Sequence, residues 1–240
     1  MKQLHISKDL SLPLDAVTRR MAILAMSGAG KSNLAVVLAE AMYDAGIPWV
    51  AIDPKGDWYG VRSNESGKGP GLPIPIFGGL HGDVPLEPTA GHLIADLIIN
   101  QRLTCVLDVS EFPDRQGMWL FLHDLGERLL RQNREALHLF LEEADEYIPQ
   151  RPGEKGNLLK CKGVWQRVVK RGRFRGLGST QISQRSASLD KDTLYQAEVL
   201  FALRAAGKGD KDAIEGWVEY HNAASEIIDS LPTLADGEGW

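Results

Sequence analysis

The sequence of 240 residues has few cysteines and no long apolar segment. Its two cysteines, Cys105 and Cys161, cannot form a disulfide framework or supply a four-ligand zinc site by themselves, so they indicate ordinary reduced thiols. No apolar run approaches the roughly 18 residues that a membrane span needs, and Lys8 and Asp9 interrupt the place where a signal peptide would be apolar. We therefore expect a cytoplasmic protein that has no membrane partner.

The chain also lacks a large excess of charge of one sign. Its 27 basic and 32 acidic residues give a net charge of −5 at pH 7, which argues neither for nor against a polyanionic partner, because local charge decides that. Hydrophobic residues make up 43% and charged residues 25% of the chain, a balance that excludes global disorder. No internal repeat is visible.

Short apolar runs alternate with helical patterns. The runs predict six strands, over 21–26, 47–52, 103–109, 137–141, 177–183 and 198–203. Apolar residues recur on one face of a helix after residue 33 and of a second helix over about 116–133. The first two strands are apolar throughout, as expected for a parallel sheet covered on both faces. The pattern predicts an α/β fold whose sheet is doubly wound and mostly parallel, with helices on both faces.

The domain organisation follows from the same pattern. We expect a domain over residues 21–240, preceded by an N-terminal extension of residues 1–20. Residues 60–88 interrupt the domain with five prolines and seven glycines, which indicates either a functional segment or an inserted hairpin. The last ten residues, LPTLADGEGW, resemble a turn leading into another strand, so the sequence is compatible with a natural end and with a longer parent protein.

The segment AMSGAGKSN, residues 25–33, lies between an apolar strand and an amphipathic helix, the context that a phosphate-binding loop requires. Small residues allow a tight path on which backbone N–H groups bind phosphate oxygens. Lys31 would add charge for the β- and γ-phosphates, and Ser32 would ligate Mg²⁺. The pattern is relaxed, because Ala25 replaces its first glycine, and the alternative is a glycine-rich turn with a solvated lysine. The predicted nucleotide site comprises Ser27, Gly28, Ala29, Gly30, Lys31, Ser32 and Asn33.

Two glutamates follow the strand predicted over 137–141. Glu142 stands where an acid would organise Mg²⁺, and Glu143, pointing elsewhere, would orient or deprotonate the attacking water. Asp145 and Glu146 extend the cluster, although acids also favour helix starts. The next strand ends at Gln184, which could sense the γ-phosphate or cap a helix.

Positive charge is concentrated in residues 155–175. This stretch holds eight of the basic residues and no Asp or Glu. Such a run is often a solvated helix face. Three other uses compete: contacts to nucleic-acid phosphates, an arginine that reaches a neighbouring subunit's ATP site, and pairing with that neighbour's acidic surface.

Together these motifs resemble the HerA–FtsK superfamily of ring-forming P-loop motors, and most closely the HerA-like (DUF87-type) ATPase core. The resemblance rests on four ordered stretches: AMSGAGKSN, AIDPKGDWYG (51–60), FLEEADEYIP (140–149) and RGRFRGLGSTQISQRSASLDKDTL (171–194). It extends over nearly the whole chain. Many HerA proteins begin with a small β-barrel, for which the residues before the first core strand are too few.

The resemblance implies a RecA-like P-loop fold, ATP and Mg²⁺ as cofactors, and a homo-hexameric ring with double-stranded DNA in its channel. It implies that Lys31 and Ser32 bind nucleotide and metal and that Glu143 activates water. Gln184 would sense the γ-phosphate, and Arg173 would act on the neighbouring subunit's site, with Arg175 as its reserve. A nuclease or other effector partner, in DNA-end processing or phage defence, is suggested by analogy.

Three functions therefore compete. The first is an ATP-hydrolysing, DNA-translocating motor subunit. The second is an assembly module in which nucleotide binding closes a ring around an effector and hydrolysis is slow or absent, an alternative that Glu142 keeps open. The third is a small-molecule phosphotransferase that uses residues 60–88 as a lid, although Arg62 is the only arginine in that segment.

Overall fold

The structure is a computed structural model that describes residues 3–64, 66–153, 156–219 and 223–240. The strands are β1 (Gln3–His5), β2 (Ser11–Pro13), β3 (Arg20–Leu24), β4 (Trp49–Asp53), β5 (Ile76–Gly78), β6 (Cys105–Asp108), β7 (Leu137–Leu141), β8 (Leu177–Ser183) and β9 (Val199–Ala202). The helices are α1 (Lys31–Asp44), α2 (Gly91–Gln101), α3 (Arg115–Gln132), α4 (Asn157–Arg171), α5 (Lys191–Leu194), α6 (Lys208–Val218) and α7 (Ala224–Ser230).

Seven strands form one sheet in the order β5-β6-β4-β7-β8-β3-β9, and every neighbouring pair is parallel. The predicted α/β class is confirmed, and each of the six predicted strands overlaps an observed one. Strand β8 lies between β3 and β7, which brings the loops that follow these three strands together at the carboxyl edge of the sheet. Ligands bind at this edge in open α/β sheets.

The apolar runs form strands because both faces of the sheet are buried. In β3, Met21 and Ile23 pack in the core beneath α1, while Ala22 and Leu24 pack in the core beneath α2, α3 and α4. Leu4 of β1 belongs to the α1 core, so the described part of the N-terminal extension packs on that face. This two-sided burial explains why the strands show no alternation of polar and apolar residues.

Helix α3 confirms the helix predicted over about 116–133. It begins after Asp114, whose carboxylate accepts a 2.7 Å hydrogen bond from the backbone N–H of Gly117, a side-chain cap. Its apolar face, which includes Phe121 and Leu125, is buried in the core. No helix in the described ranges has the length and apolar character needed to cross a bilayer.

The Gly/Pro-rich segment 60–88 contains a short antiparallel bridge between Ser63 and Pro70 and then strand β5. Strand β5 adds a seventh strand that the apolar pattern did not predict. It is only three residues long, follows Pro75 directly and pairs with β6 at the edge of the sheet. Proline is tolerated at such an edge because one side of the strand needs no hydrogen-bond donor.

Candidate functional site

The loop between β3 and α1 has the backbone path that its glycines predict. Gly28 and Gly30 have φ values of 80° and 96°, in the left-handed region. A Cβ atom on Gly30 would also lie 3.3 Å from the backbone of Gly237. Ala25, which replaces the usual first glycine, is buried and has no positive φ, so this position imposes no need for glycine.

The loop is anchored to both neighbouring strands. The backbone N–H of Ala25 donates to the carbonyl of Ser183 at the end of β8, and that of Met26 donates to the carbonyl of Arg204 beyond β9. Ser27 and Gly28 are exposed, while helix α1 starts at Lys31, directly after Gly30. Free backbone N–H groups at a helix start form an anion site. The geometry therefore fits the predicted phosphate loop.

Lys31 is buried beneath this loop, with 7% of its surface exposed. Its Nζ lies 3.2 Å from Oε1 of Glu142 and 3.3 Å from Oε1 of Glu143. Burial alone would lower the pKa of Lys31, but the two carboxylates outweigh it and raise the pKa above its usual value. Lys31 is therefore a charged ammonium group that the two carboxylates hold beside the phosphate loop.

The two glutamates converge on Lys31, whereas the strand pattern predicts that Glu143 points away from Glu142. Strand β7 has ended at Leu141, so the alternation of a strand no longer applies. Glu143 instead adopts a left-handed conformation with φ 43° and ψ 50°, a strained state for a residue with a side chain. Both carboxylates are 2% exposed and lie beside the phosphate loop.

Lys55 and Trp58 also contact these glutamates, although neither residue was predicted as part of the site. Lys55 forms an ion pair with Glu143, and the indole Nε1 of Trp58 donates a 3.2 Å hydrogen bond to Glu142. Burial raises the pKa of Glu143, but Lys55 and then Lys31 outweigh it, so the pKa lies below its usual value. The sequence feature that could have identified Lys55 and Trp58 is the stretch AIDPKGDWYG, which contains both residues.

Asp53 positions the loop that carries Lys55 and Trp58. Its carboxylate accepts hydrogen bonds from the backbone N–H groups of Lys55, Gly56 and Trp58, at 3.0, 2.9 and 2.8 Å. Burial raises the pKa of Asp53 to about 6, with a smaller contribution from the neighbouring Asp108, although the three donors oppose this rise. Asp53 thus serves the site through the loop and not by direct contact.

Gln184 follows β8 at the same edge of the sheet. Because β8 pairs with both β3 and β7, Gln184 lies between the strand that leads to the phosphate loop and the strand that leads to the glutamates. Beside it, the Ser183 hydroxyl donates a 2.6 Å hydrogen bond to Asp145. Burial raises the pKa of Asp145 above its usual value. The role of Gln184 as a γ-phosphate sensor stays a prediction.

The basic segment runs along α4 and ends at the opposite, amino edge of the sheet. Helix α4 leads to a 3₁₀ turn, Gly172–Arg175, that enters β8. In this turn, Arg173 pairs with Glu198 at 2.9 Å and Phe174 is 93% exposed. Arg173 therefore lies far along β8 from its own phosphate loop, and a role at an ATP site requires a second subunit.

The segment is partly neutralised within the chain. Lys162 pairs with Asp190 at 2.9 Å, and Lys170 pairs with Asp192 at 3.4 Å. Lys155 lies outside the described residues. The helix face is therefore not only a run of solvated charge, because two of its cations pair with acidic residues at the start of α5.

The residues at the carboxyl edge also fit the predicted magnesium ion. Ser32 directly follows Lys31, whose ammonium contacts Glu142, and hydroxyl and carboxylate oxygens are the ligands that Mg²⁺ prefers. Within the described ranges, no group of three or more His, Cys, Asp or Glu side chains could hold a metal. The ion would therefore be shared with phosphate oxygens.

Comparisons with known solved structures agree on the fold. VirB4 of Thermoanaerobacter pseudethanolicus superposes with a TM-score of 0.66 at 15% identity, covering 99% of this chain and 92% of that chain. The genome packaging NTPase B204 of Sulfolobus turreted icosahedral virus 2, solved with AMPPCP, superposes with a TM-score of 0.56 at 12% identity, covering 91% and 88%. At these identities the likeness shows the fold alone, that of P-loop NTPases.

Sequence comparison adds the family. A curated relative, the DNA double-strand break repair helicase HerA of Pyrococcus furiosus, is 35% identical over 85 residues, which cover 35% of this chain and 14% of that protein. The family model described as "Helicase HerA, central domain" (DUF87) matches residues 4–153, which reach from β1 past the paired glutamates. Since that match spans more than half of the chain, the protein belongs to the HerA central-domain family and is a HerA-like ATPase core.

Proposed function

We propose that this protein is the ATP-hydrolysing subunit of a homo-hexameric ring that translocates on double-stranded DNA. The observation that carries the proposal is the buried cluster of Lys31, Glu142 and Glu143 beside the phosphate loop. The cluster combines a cation for phosphates, an acid for Mg²⁺ and an acid for water within one site. A purely structural ion pair would not need two carboxylates on one lysine.

The arrangement of these side chains indicates how they would act on ATP. The backbone N–H groups of the loop bind phosphate oxygens, and Lys31 leaves the glutamates to contact the β- and γ-phosphates. Ser32 and Glu142 would hold Mg²⁺, which supplies charge neutralisation on the phosphates when bound. Glu143, freed from Lys31, accepts the proton of the attacking water.

Gln184 and Arg173 would complete the site. Gln184 hydrogen-bonds the γ-phosphate from the edge that it shares with the loop. Arg173 stabilises charge on the transferring phosphoryl group from the neighbouring subunit. Its position at the amino edge supports this role, because a head-to-tail contact between the two edges of successive subunits forms a ring when the rotation between subunits closes.

Duplex DNA as the substrate is supported by two observations. The basic residues are concentrated on α4 and the turn that follows it, where they can contact phosphates. The Pyrococcus furiosus relative is named as a DNA repair helicase, and B204 as a genome packaging NTPase. A nuclease or other effector partner is proposed by analogy with the family alone.

The deciding experiment measures ATP turnover with and without duplex DNA, using Lys31→Ala as the inactive control. The motor proposal predicts turnover that DNA stimulates and that Lys31→Ala abolishes. Mass measurements with an ATP analogue and DNA should show six subunits. If ATP binds and drives assembly but turnover stays absent with DNA, the protein is instead a nucleotide-gated assembly module, the alternative that Glu142 at the metal-organising position keeps open.

A further inference from the structure

A short side-chain hydrogen bond joins the loops that follow β7 and β8. The hydroxyl of Ser183, a fully buried residue, donates it to the carboxylate of Asp145 over 2.6 Å. This distance is typical of a hydroxyl that donates to an ionised carboxylate, a stronger bond than one between two neutral groups. Burial raises the pKa of Asp145, and among the groups that oppose this rise the Ser183 hydroxyl contributes most. No step of ATP hydrolysis described above uses this pair.

On the β7 side, Asp145 is tied to the proposed base. It lies in the 3₁₀ turn Ala144–Glu146, two residues after Glu143. The backbone N–H of Glu146 donates a 2.8 Å hydrogen bond to the carbonyl of Glu143, which closes this turn around Asp145. Because the two acids share one tight turn, a shift of the Asp145 carboxylate is passed to the backbone of Glu143.

On the β8 side, Ser183 fixes the backbone around Gln184. Its hydroxyl oxygen accepts a 3.0 Å hydrogen bond from the backbone N–H of Arg185, so the hydroxyl closes a turn with Gln184 at its centre. A hydroxyl has one proton to donate, and because Asp145 accepts that proton, a lone pair is directed to the N–H of Arg185. The carbonyl of Ser183 accepts a 3.4 Å hydrogen bond from Ala25 of the phosphate loop. Ser183 therefore connects the phosphate loop, the turn at Gln184 and the turn that carries the glutamates.

We infer that Asp145 is a positioning residue in ATP hydrolysis, which acts through Ser183 to fix Gln184 relative to Glu143. The inference rests on the proposed function, in which Gln184 contacts the γ-phosphate and Glu143 accepts a proton from water. Both side chains must reach the same phosphoryl group at once, and a misplacement of about 1 Å costs a factor of about 10² in rate. The hydrogen bond spans the two loops that carry these side chains, so it limits how far the loops can separate.

Removal of this hydrogen bond should slow turnover without weakening ATP binding. Asp145→Ala is expected to lower kcat about tenfold with little change in KM, the effect of one lost charge-assisted hydrogen bond. Asp145→Asn should retain most of the wild-type kcat, because its amide oxygen accepts the same bond. Ser188→Ala is the matched control, since Ser188 is exposed on the same loop as Gln184. Steady-state kinetics measure kcat and KM, and thermal unfolding shows that each variant is folded.

A double-variant cycle shows whether Asp145 acts through Gln184. If it does, adding Asp145→Ala to Gln184→Ala should cause no further loss of kcat, because the side chain that Asp145 positions is already absent. Both single variants should also lower the preference for a non-hydrolysable ATP analogue over ADP, since each disturbs a contact to the γ-phosphate. A variant that only loosened the fold would weaken the binding of both nucleotides, and its loss of kcat would add to that of Gln184→Ala.

The outcomes separate this inference from the proposed function. If wild type hydrolyses ATP and Gln184→Ala slows it, but Asp145→Ala is silent or its loss adds fully, the inference is overturned and the proposed function stands. If Gln184→Ala is silent, the sensor role is wrong and Asp145 has no side chain to position, which overturns the inference as well. If wild type turns over no ATP even with DNA, the proposed function fails, and nucleotide preference decides the inference: an unchanged preference for the ATP analogue over ADP in Asp145→Ala overturns it.

Discussion

At the carboxyl edge of the sheet, charged groups are buried and paired with one another, whereas at the amino edge they are exposed. Lys31, Glu142 and Glu143 are almost without solvent contact. At the other edge, the Arg173 side chain is about half exposed and Phe174 protrudes almost completely. The charged groups of the carboxyl edge form ion pairs within the chain, whereas the amino edge exposes surface that a second subunit could cover.

This difference assigns different tasks to the two edges. A buried cluster of like and unlike charges is costly unless each group is paired, so it is expected where a ligand will exchange those pairs. An exposed aromatic ring between two arginines suits a protein contact, since aromatic residues and arginine are enriched in interfaces. We therefore expect substitutions at the amino edge to act only in the assembly, and those at the carboxyl edge to act within each subunit.

The largest effect is expected for Arg173→Ala. The variant should bind ATP normally and lose about 10³–10⁵ in turnover, because an arginine supplied in trans stabilises charge in the transition state. Steady-state ATP hydrolysis measures the loss of turnover, and a nucleotide-binding assay measures whether ATP affinity is unchanged. Arg131→Ala is a matched control, because Arg131 is exposed on α3, outside the basic segment, and should change turnover little.

Mixing subunits tests whether Arg173 acts on a neighbour. Arg173→Ala subunits have a complete phosphate loop, and Lys31→Ala subunits have an intact arginine. Mixed rings should regain part of the activity at interfaces where both are present. If hetero-oligomers form without recovery, Arg173 does not act in trans, and a flatter salt dependence of DNA binding would identify it as a phosphate contact.

The next effect is expected for Glu143→Gln. An amide cannot accept the proton of the attacking water, so turnover should fall by about 10² or more while ATP binding is retained. Glu142→Gln provides the comparison, because it should disturb Mg²⁺ dependence first. If Glu142→Gln alone abolishes turnover and Glu143→Gln is silent, the roles of the two glutamates are reversed.

The contrast between the edges also explains what the sequence could predict. Six strands and the phosphate loop follow from apolar runs and from glycine spacing, which are local patterns. Lys55 was missed because its partner Glu143 lies 88 positions away, and only the turn after β4 brings them together. The convergence of Glu142 and Glu143 was missed because it depends on the left-handed backbone at Glu143, which no propensity for glutamate would suggest.

A smaller effect concerns stability and Asp53. Its pKa is raised from 3.8 to about 6 in the folded protein, so the folded state binds this proton more tightly than the unfolded state. The ionisation of Asp53 therefore lowers the free energy of unfolding as pH rises from about 4 to about 6. At about 1.4 kcal/mol per pKa unit, the loss is up to about 3 kcal/mol.

Denaturant unfolding of wild type and Asp53→Asn between pH 4 and 7 isolates that contribution. Buried His138 acts in the opposite direction over this range, because burial lowers its pKa to about 4. The difference between the two proteins cancels the effect of His138. As pH rises, the free energy of unfolding of the wild type should fall relative to that of Asp53→Asn. The changed hydrogen bonds in the variant add a constant difference that does not depend on pH. A pH-independent difference contradicts the raised pKa.

The smallest effect is expected for Lys55→Met, which keeps the length of the side chain and removes its charge. Lys55 is a positioning residue, because it holds Glu143 and does not belong to the phosphate loop. Loss of one charge-assisted hydrogen bond should lower kcat by roughly tenfold with little change in KM. Lys55 also helps to lower the pKa of Glu143, so the acid limb of the pH–rate profile should move to higher pH.

The shift of the acid limb distinguishes positioning of the base from a general loss of structure. A variant that only loosened the loop would lose activity equally at all pH values. Lys55→Arg should restore the wild-type limb, because a guanidinium can replace the ammonium beside Glu143. Lys68→Met, in the exposed part of segment 60–88, should match wild type in both kcat and pH profile. An unmoved acid limb in Lys55→Met would show that Lys31 alone sets the pKa of Glu143, and the carboxyl edge would then need one cation and not two.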